Sequence, residues 1–200
     1  MAETEGLDVV SCTRCPELVD SRSGIANGTG APDAAVVFIG EAPGAEEDQE
    51  GEPFVGRSGD VLDEKLAERG LDREGVRITN CVRCRPPDNR DPKKEELGNC
   101  REFLDREIGE IDPALIVTLG RVPSEHVLDR DVAVTKEAGG VSEVRLGDAS
   151  YRVLICVHPA ATFYDASQKA TLESALDTAA ELAGVDTGDE GSGQSRLGEY

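Results

Sequence analysis

Apolar residues fall in four short, nearly unbroken runs, at 35–39, 76–82, 115–119 and 153–157, each rich in Val, Ile or Leu. Runs of this length with little polar alternation predict strands buried on both faces. Between them the apolar spacing changes to three and four. Ser58 stands where an N-cap belongs before a helix over 59–69, with Gly70 as terminator, and a helix over 92–108 places Leu97, Cys100, Leu104 and Ile108 on one face. A short helix near 123–128 and a long one over 168–183 follow. Strands alternating with helices predict an α/β fold of three layers, α/β/α, about a central four-stranded parallel sheet. Residues 132–136 and 143–152 read as a hairpin or an irregular loop. The polar stretches at both ends predict a mobile N-terminus over 1–11, one domain over 12–184, and a disordered acidic Gly/Ser-rich tail over 185–200.

A chain of 200 residues with 38% hydrophobic content suits one globular domain. It has neither an apolar stretch of membrane-spanning length nor the basic and apolar parts of a signal peptide, so a cytoplasmic protein is expected. Six Cys in a reducing compartment point to a metal site or catalysis before disulfides. The charge is unusual: 41 Asp and Glu against 21 Lys and Arg give −20. Such a balance argues against nucleic acid as a partner, because phosphate binding draws on cations. The acids are spread over nearly every element, however, with few Lys and few aromatics, as in proteins of salt-loving cytosols where molar salt screens repulsion. The acidity then describes the solvent rather than the partner; an ordinary acidic enzyme is the alternative.

In an open parallel sheet, ligands bind beyond the carboxyl ends of the strands. The four runs are followed there by GEAPG at 40–44, by Asn80, by Gly120 and by His158-Pro159. Each is ordinary alone, as turn punctuation, a strand-end amide and a structural histidine. Together they set a Gly-rich turn, a carboxamide and an imidazole on one rim. His126, on the short helix, reads as a surface or packing residue.

Cys12 and Cys15 form a C-x2-C pair able to present two thiolates from one tight loop, and Cys84 pairs either with Cys81 or with Cys100. Four thiolates suit zinc or an iron–sulfur cluster equally by count. Alternation along the second run puts Asn80 and Val82 on one side and Cys81 on the other, which makes Cys81 a core residue. Cys84 lies in the following loop, Cys100 on the inward face of the 92–108 helix, and Cys156 within an apolar strand. The loop over 83–94 carries five bases against Asp88 and Asp91, a local +3, and reads either as a solvated Pro-containing loop or as an electrostatic contact through Arg90 and Lys93. The stretch 41–52 holds six acids and no base.

The ordered set of C-x2-C, GEAPGAEED at 40–48, GEPFVG at 51–56, ITN at 78–80, CRPPDNRDP at 84–92, Cys100 and HPAA at 158–161 resembles the family 4 uracil-DNA glycosylases, the iron–sulfur glycosylases of archaea and thermophilic bacteria. The resemblance runs from Cys12 to Ala183 and implies a sheet flanked by helices, a [4Fe-4S] cluster on Cys12, Cys15, Cys84 and Cys100, and excision of uracil from DNA. It implies that Gly40, Glu41 and Ala42 line a uracil pocket through their backbone, that Phe54 stacks on the flipped base, that Asn80 reads the base edge and that His158 faces O2. Glu47 resembles a pocket residue that crowds a 5-methyl group, and Asn89 lies in the loop near DNA. The catalytic set so implied is His158, Glu41 and Asn80. The chain departs from the family at Ala42, where Gly is common, and after HPAA, where Tyr164 stands in place of an Arg.

The residue types suit that chemistry. Uracil offers an N3–H donor beside an O4 acceptor, which one carboxamide matches and cytosine reverses. Departure of the base pushes negative charge onto O2, within reach of an imidazole N–H. The motif turns hold no Lys, which disfavours a Schiff-base lyase. Uracil-containing DNA is the expected partner, with a sliding clamp as a candidate protein partner, no membrane contact and a monomeric state. Two rivals stand beside this reading: a non-catalytic iron–sulfur or zinc protein of the same fold that holds DNA or a polymerase, and a nucleotide-binding enzyme. The second lacks the Lys and spacing of a P-loop.

Overall fold

The apolar runs form the interior of one sheet in the computed structural model, which describes residues 2–184; the tail expected at 185–200 lies outside the described residues. In chain order the elements are β1 (Ala2–Glu5), β2 (Asp8–Cys12), α1 (Pro16–Ser21), β3 (Thr29–Gly30), β4 (Val36–Gly40), α2 (Ala45–Glu50), α3 (Arg57–Ala67), β5 (Arg77–Asn80) and α4 (Lys94–Ile111). Then come β6 (Leu115–Leu119), α5 (Arg121–Leu128), α6 (Val134–Glu137), β7 (Val141–Leu146), β8 (Ala149–Cys156) and α7 (Ser167–Leu182). Sheet order is β3-β5-β4-β6-β8-β7, with β5, β4, β6 and β8 parallel and the two outer strands antiparallel.

The four-stranded parallel core is as expected, but the sheet has six strands. The two additions lack the signal that marks the others. β3 is two residues long, and β7 is half solvated, so neither carries a continuous apolar run. β7 takes its register from a hairpin with β8, Leu146 opposite Ala149.

Side chains alternate across the sheet. Val36, Phe38, Ile78, Val117 and Leu154 pack with Leu62 and Leu66 of α3 and Leu172 and Leu176 of α7. Val37, Ile39, Ile116 and Val153 point the other way, to Leu104 and Ile108 of α4 and Val127 of α5. The three layers follow from this two-sided burial. Within them sits a fully buried carboxylate, Glu107, joined to Arg77 (2.7 Å), Arg83 (2.8 Å) and the Thr79 hydroxyl (2.9 Å).

Two local expectations are corrected. α3 begins at Arg57 behind Gly56, whose φ of +83° only glycine adopts without strain, so Ser58 lies inside the helix and not at its cap. Gly70 terminates the segment as expected, at φ +70°. The N-terminus is not loose over residues 2–12, where β1 and β2 form an antiparallel hairpin turned at Gly6 (φ +57°). Tertiary contacts hold it: Asn27 Oδ1 accepts from Val9 N at 2.8 Å, and Arg83 donates to Leu7 O at 2.9 Å. No described helix is long and apolar enough to cross a membrane.

Candidate active site

The parallel register brings the strand ends level. Gly40 of β4 is the neighbour of Asn80 of β5, and the turns after β6 and β8 follow on the same edge. A Cβ on Gly40 would lie 2.3 Å from Asn80 Oδ1 and 2.4 Å from Phe54 Cε2. Glycine is thus what allows the amide and the ring to meet over the backbone. The turn is pinned from the next strand, Cys81 N donating to Gly40 O at 2.9 Å and Val82 N to Glu41 O at 3.0 Å.

Phe54 is held in a backbone conformation unusual for its type, φ +53°. Its surroundings over-determine it. Glu47 closes the first turn of α2, and its carboxylate accepts from the N–H groups of both Gly44 and Phe54. Arg73 donates to the Pro53 and Phe54 carbonyls at 2.7 and 2.6 Å. Gly59 admits the Phe54 carbonyl, which a Cβ there would meet at 1.7 Å. Glu47 therefore helps to place the ring. Arg73 and Gly59 belong to the same scaffold and were not apparent in the sequence, where neither stands in a motif and Arg73 is 19 residues from the carbonyl it holds.

His158 caps the turn Pro159–Phe163, its Nδ1 accepting from Ala160 N at 3.1 Å. That bond requires an unprotonated Nδ1 and so assigns the ring hydrogen to Nε2. Burial lowers its pKa to about 4, which keeps the ring neutral at physiological pH. Phe54 stacks against it, with centroids 5.5 Å apart and planes 29° from parallel. Gly120, at φ +108°, passes close behind, where a Cβ would lie 3.3 Å from His158 Cβ.

Two further groups carry chemistry. Asn80 is 2% exposed, and both its Oδ1 and Nδ2 are buried without a hydrogen-bond partner. Glu41 has its pKa pushed up to about 7, first by burial, then by repulsion from Asp91, with Arg121 opposing. Ala42 follows in the same turn, partly buried, its small side chain against the Cys84 and Cys100 cluster.

Other expected contributors lie elsewhere. Asn89 is exposed on the turn Pro87–Asn89 and accepts from Arg85 Nε at 2.8 Å. The positive excess of the 83–94 loop is largely cancelled by the fold: Arg83 is buried on Glu107, Arg90 binds Glu96 (2.7 Å) and Glu17 (3.0 Å), and Lys93 also binds Glu17. Arg90 and Lys93, the expected electrostatic contact, are thus both paired with carboxylates in the fold. Beyond His158, Tyr164 is 91% exposed, and Arg57 lies 4.5 Å over the Phe163 ring. A cavity between α4 and α5 sets Lys94, Arg101, Arg121 and Arg130 among Asp91, Glu125, Asp129 and Asp131, so its charges balance, and His126 packs beside it.

Cys12, Cys15, Cys84 and Cys100 line one enclosed cavity together with Leu18, Val19, Arg22, Asn99 and Arg14, the last paired with Glu102. Val9, Val82 and Phe103 complete an apolar surround. Cys81 packs on the other side with Val37, Ile39 and Leu104, and Cys156 under α7. All six are free thiols, and among the described residues no three His, Cys, Asp or Glu are grouped as for a bound metal ion.

A family model described as the uracil DNA glycosylase superfamily matches residues 27–180. A type-4 uracil-DNA glycosylase of Archaeoglobus fulgidus is 39% identical over 181 residues, covering 88% of this chain and 90% of the relative. One of Sulfurisphaera tokodaii is also 39% identical over 181 residues, covering 88% and 82%. One of Thermotoga maritima is 46% identical over 132 residues, covering 66% and 68%.

Proposed function

The chain belongs to the uracil DNA glycosylase superfamily, with type-4 enzymes among its relatives, and from that premise we propose that it hydrolyses the N-glycosidic bond of uracil in DNA, leaving an abasic site for base excision repair. The observation that carries this reading is Asn80. A buried carboxamide with both polar atoms unpaired costs about 1–3 kcal/mol. It is retained where a ligand completes it, and uracil presents a matching N3–H and O4. Phe54, set by Glu47 and Arg73, offers a face to the extruded base. His158 Nε2–H is the donor for O2 as negative charge develops there, and its neutral state avoids an ion pair with the ground-state base. A non-catalytic DNA-holding protein explains neither the unpaired amide nor the imidazole fixed in one tautomer beside it. The direct test is release of free uracil from a uracil-containing oligonucleotide in high salt, with thymine and cytosine strands untouched; an inert protein overturns the reading.

We read Glu41 as the group that orients or deprotonates the attacking water. With its pKa at about 7 and that of His158 at about 4, kcat is expected to climb as pH rises through 7. Glu41→Gln then lowers kcat by ~10²-fold or more and flattens the profile. Stability moves oppositely. The folded-state pKa lies above the ordinary 4.5, so the folded chain holds this proton more tightly, and ionisation costs stability between about pH 4.5 and 7. Thermal melts of Glu41→Gln gain most above pH 7. A variant with the parent's pH profile removes Glu41 from the chemistry.

We read the four cysteines as the seat of a [4Fe-4S] cluster. Four soft sulfur donors on the β2–α1 segment, the post-β5 loop and α4 line one apolar cavity without being drawn together as around a bound ion, and four thiolates are the donor set such a cluster takes. When bound, the cluster ties those three segments together and supplies a redox-capable centre outside the base pocket.

The charge of −20 is read as adaptation to salt. Much of the cationic complement is engaged in internal ion pairs, such as those of Arg69, Arg77, Arg90 and Lys65, which leaves an excess of surface acids to repel one another and DNA. Screening within ~3 Å at 1 M relieves both. The melting temperature is expected to rise from millimolar to molar KCl; a steady fall over that range removes the halophile reading.

A further inference from the structure

Arg22 follows α1 and closes its last turn, its backbone N–H on Leu18 O. Its guanidinium turns inward: Nη1 donates to Cys84 Sγ at 2.8 Å, and Nη2 to the Cys12 carbonyl at 2.8 Å. In a chain with 41 acids and 21 bases, an arginine readily meets a carboxylate, as Arg69, Arg90 and Arg121 do. Among the described residues Arg22 makes no such ion pair. Across the cavity, Asn99 of α4 donates from Nδ2 to Cys15 Sγ at 3.4 Å. Two of the four sulfurs thus each receive a side-chain N–H, and one of those donors carries a full charge, while Cys100 receives the backbone N–H of Arg83.

A group held by four thiolates is anionic, and here it is shut among Leu18, Val9, Val82 and Phe103. Burying that charge costs free energy unless donors compensate it. A planar guanidinium can hold a sulfur and a carbonyl at once, which an ammonium cannot do with fixed geometry. We propose that Arg22 is the charge-compensating partner of the cysteine-bound cluster: it neutralises thiolate charge at Cys84, links the Cys84 loop to the Cys12 strand, and favours the more reduced, more negative form. The inference rests on the cluster reading above.

The experiment uses the full chain purified anaerobically: parent, Arg22→Gln, Arg22→Lys and, as control, Arg145→Gln on the exposed β7 edge. The readouts are decay of absorbance near ~400 nm after adding an iron chelator, and the midpoint potential from a titration with a one-electron reductant. Loss of such an outer partner typically weakens a metal site ~10–100-fold. Arg22→Gln is therefore expected to bleach at least ~10-fold faster, with its potential lowered by about 59 mV for each tenfold bias against the reduced form. Arg22→Lys keeps the charge but loses one of the two bonds, so it bleaches faster than the parent while its potential moves little. Arg145→Gln matches the parent. Parent-like bleaching and potential in Arg22→Gln overturn the proposal. So does faster bleaching at an unchanged potential, which marks a merely structural contact. Should Arg22→Gln fail to fold, Arg22→Lys bleaching as slowly as the parent overturns it. A parent that purifies colourless and without iron removes the cluster reading itself, and the role of Arg22 falls with it; that outcome is seen before any variant is compared.

Discussion

Asn80→Ala is expected to lower kcat/KM for uracil excision by at least ~10²–10³-fold, while the protein melts within about 1 kcal/mol of the parent. The two halves of this expectation have one cause. In the free enzyme the carboxamide is buried with both polar atoms unpaired, so the fold gains nothing from it and loses only its small volume on truncation. On the proposed reading the same atoms meet the base edge, where a carboxamide's acceptor and donor match the N3–H and O4 of uracil. His158→Ala should differ in kind. Its Nδ1 caps the Pro159–Phe163 turn, so truncation removes both a turn contact and the donor proposed for O2, and kcat is expected to fall ~10²–10³-fold with some loss of stability. Steady-state kinetics and thermal melts on both variants separate the roles. If Asn80→Ala excises at the parent's rate, the pocket is misassigned; if it fails to fold, the amide is structural.

The second large effect is expected at the cysteines. Cys100→Ala should lose all colour near ~400 nm and melt roughly 10 °C lower, as loss of a few kcal/mol does at ~2–4 °C per kcal/mol in a chain of this size. Cys100 sits on the inward face of α4, sharing a cavity with Cys12, Cys15 and Cys84. Cys81 is three residues from Cys84 yet 1% exposed within the packing of Ile39, Leu104 and Ile108. Burial drives its thiol pKa far upward, away from thiolate chemistry. Cys81→Ala should therefore keep the colour and lose only about 1 kcal/mol of packing. The pair of variants, read by absorbance, iron content and melting, decides between the two C-x2-C schemes. Colour lost with Cys81 and kept with Cys100 reverses the assignment, and a colourless parent holding one zinc replaces the cluster.

The parts of this site that were legible in the sequence share a property. GEAPG, Asn80, Gly120 and His158 each follow an apolar run directly, and in a parallel sheet the ends of such runs lie on one edge whatever the intervening helices do. Cys100 was legible by its helical spacing with Leu104 and Ile108. The scaffold behind Phe54 was not. Arg73 reaches the Phe54 carbonyl from beyond α3, and the φ of +53° follows from contacts on both sides of the ring's backbone, not from the residue type. Ser58 is a good cap by composition, but Gly56 alone could leave that turn, so the helix starts two residues earlier than a cap at Ser58 allows.

The charges show the same division. Counting along 83–94 finds a surplus of three, which is correct as a local sum. In space Glu107, Glu96 and Glu17 take up Arg83, Arg90 and Lys93, and Glu17 lies 73 and 76 residues away from the two it binds. The N-terminal hairpin was hidden for a related reason: its residues are polar, and its hold comes from Asn27 and Arg83. By itself, then, the sequence determined the α/β layering, the four central strands, the edge on which the site lies and the residue types that face it, because periodicity and strand ends are properties of neighbours two to four positions apart. Only the tertiary structure decided the two outer strands, the strained placement of Phe54, the unpaired state of Asn80, the tautomer of His158 and which cations remain free. Those depend on contacts between distant residues, where burial and long-range pairing outweigh local propensity.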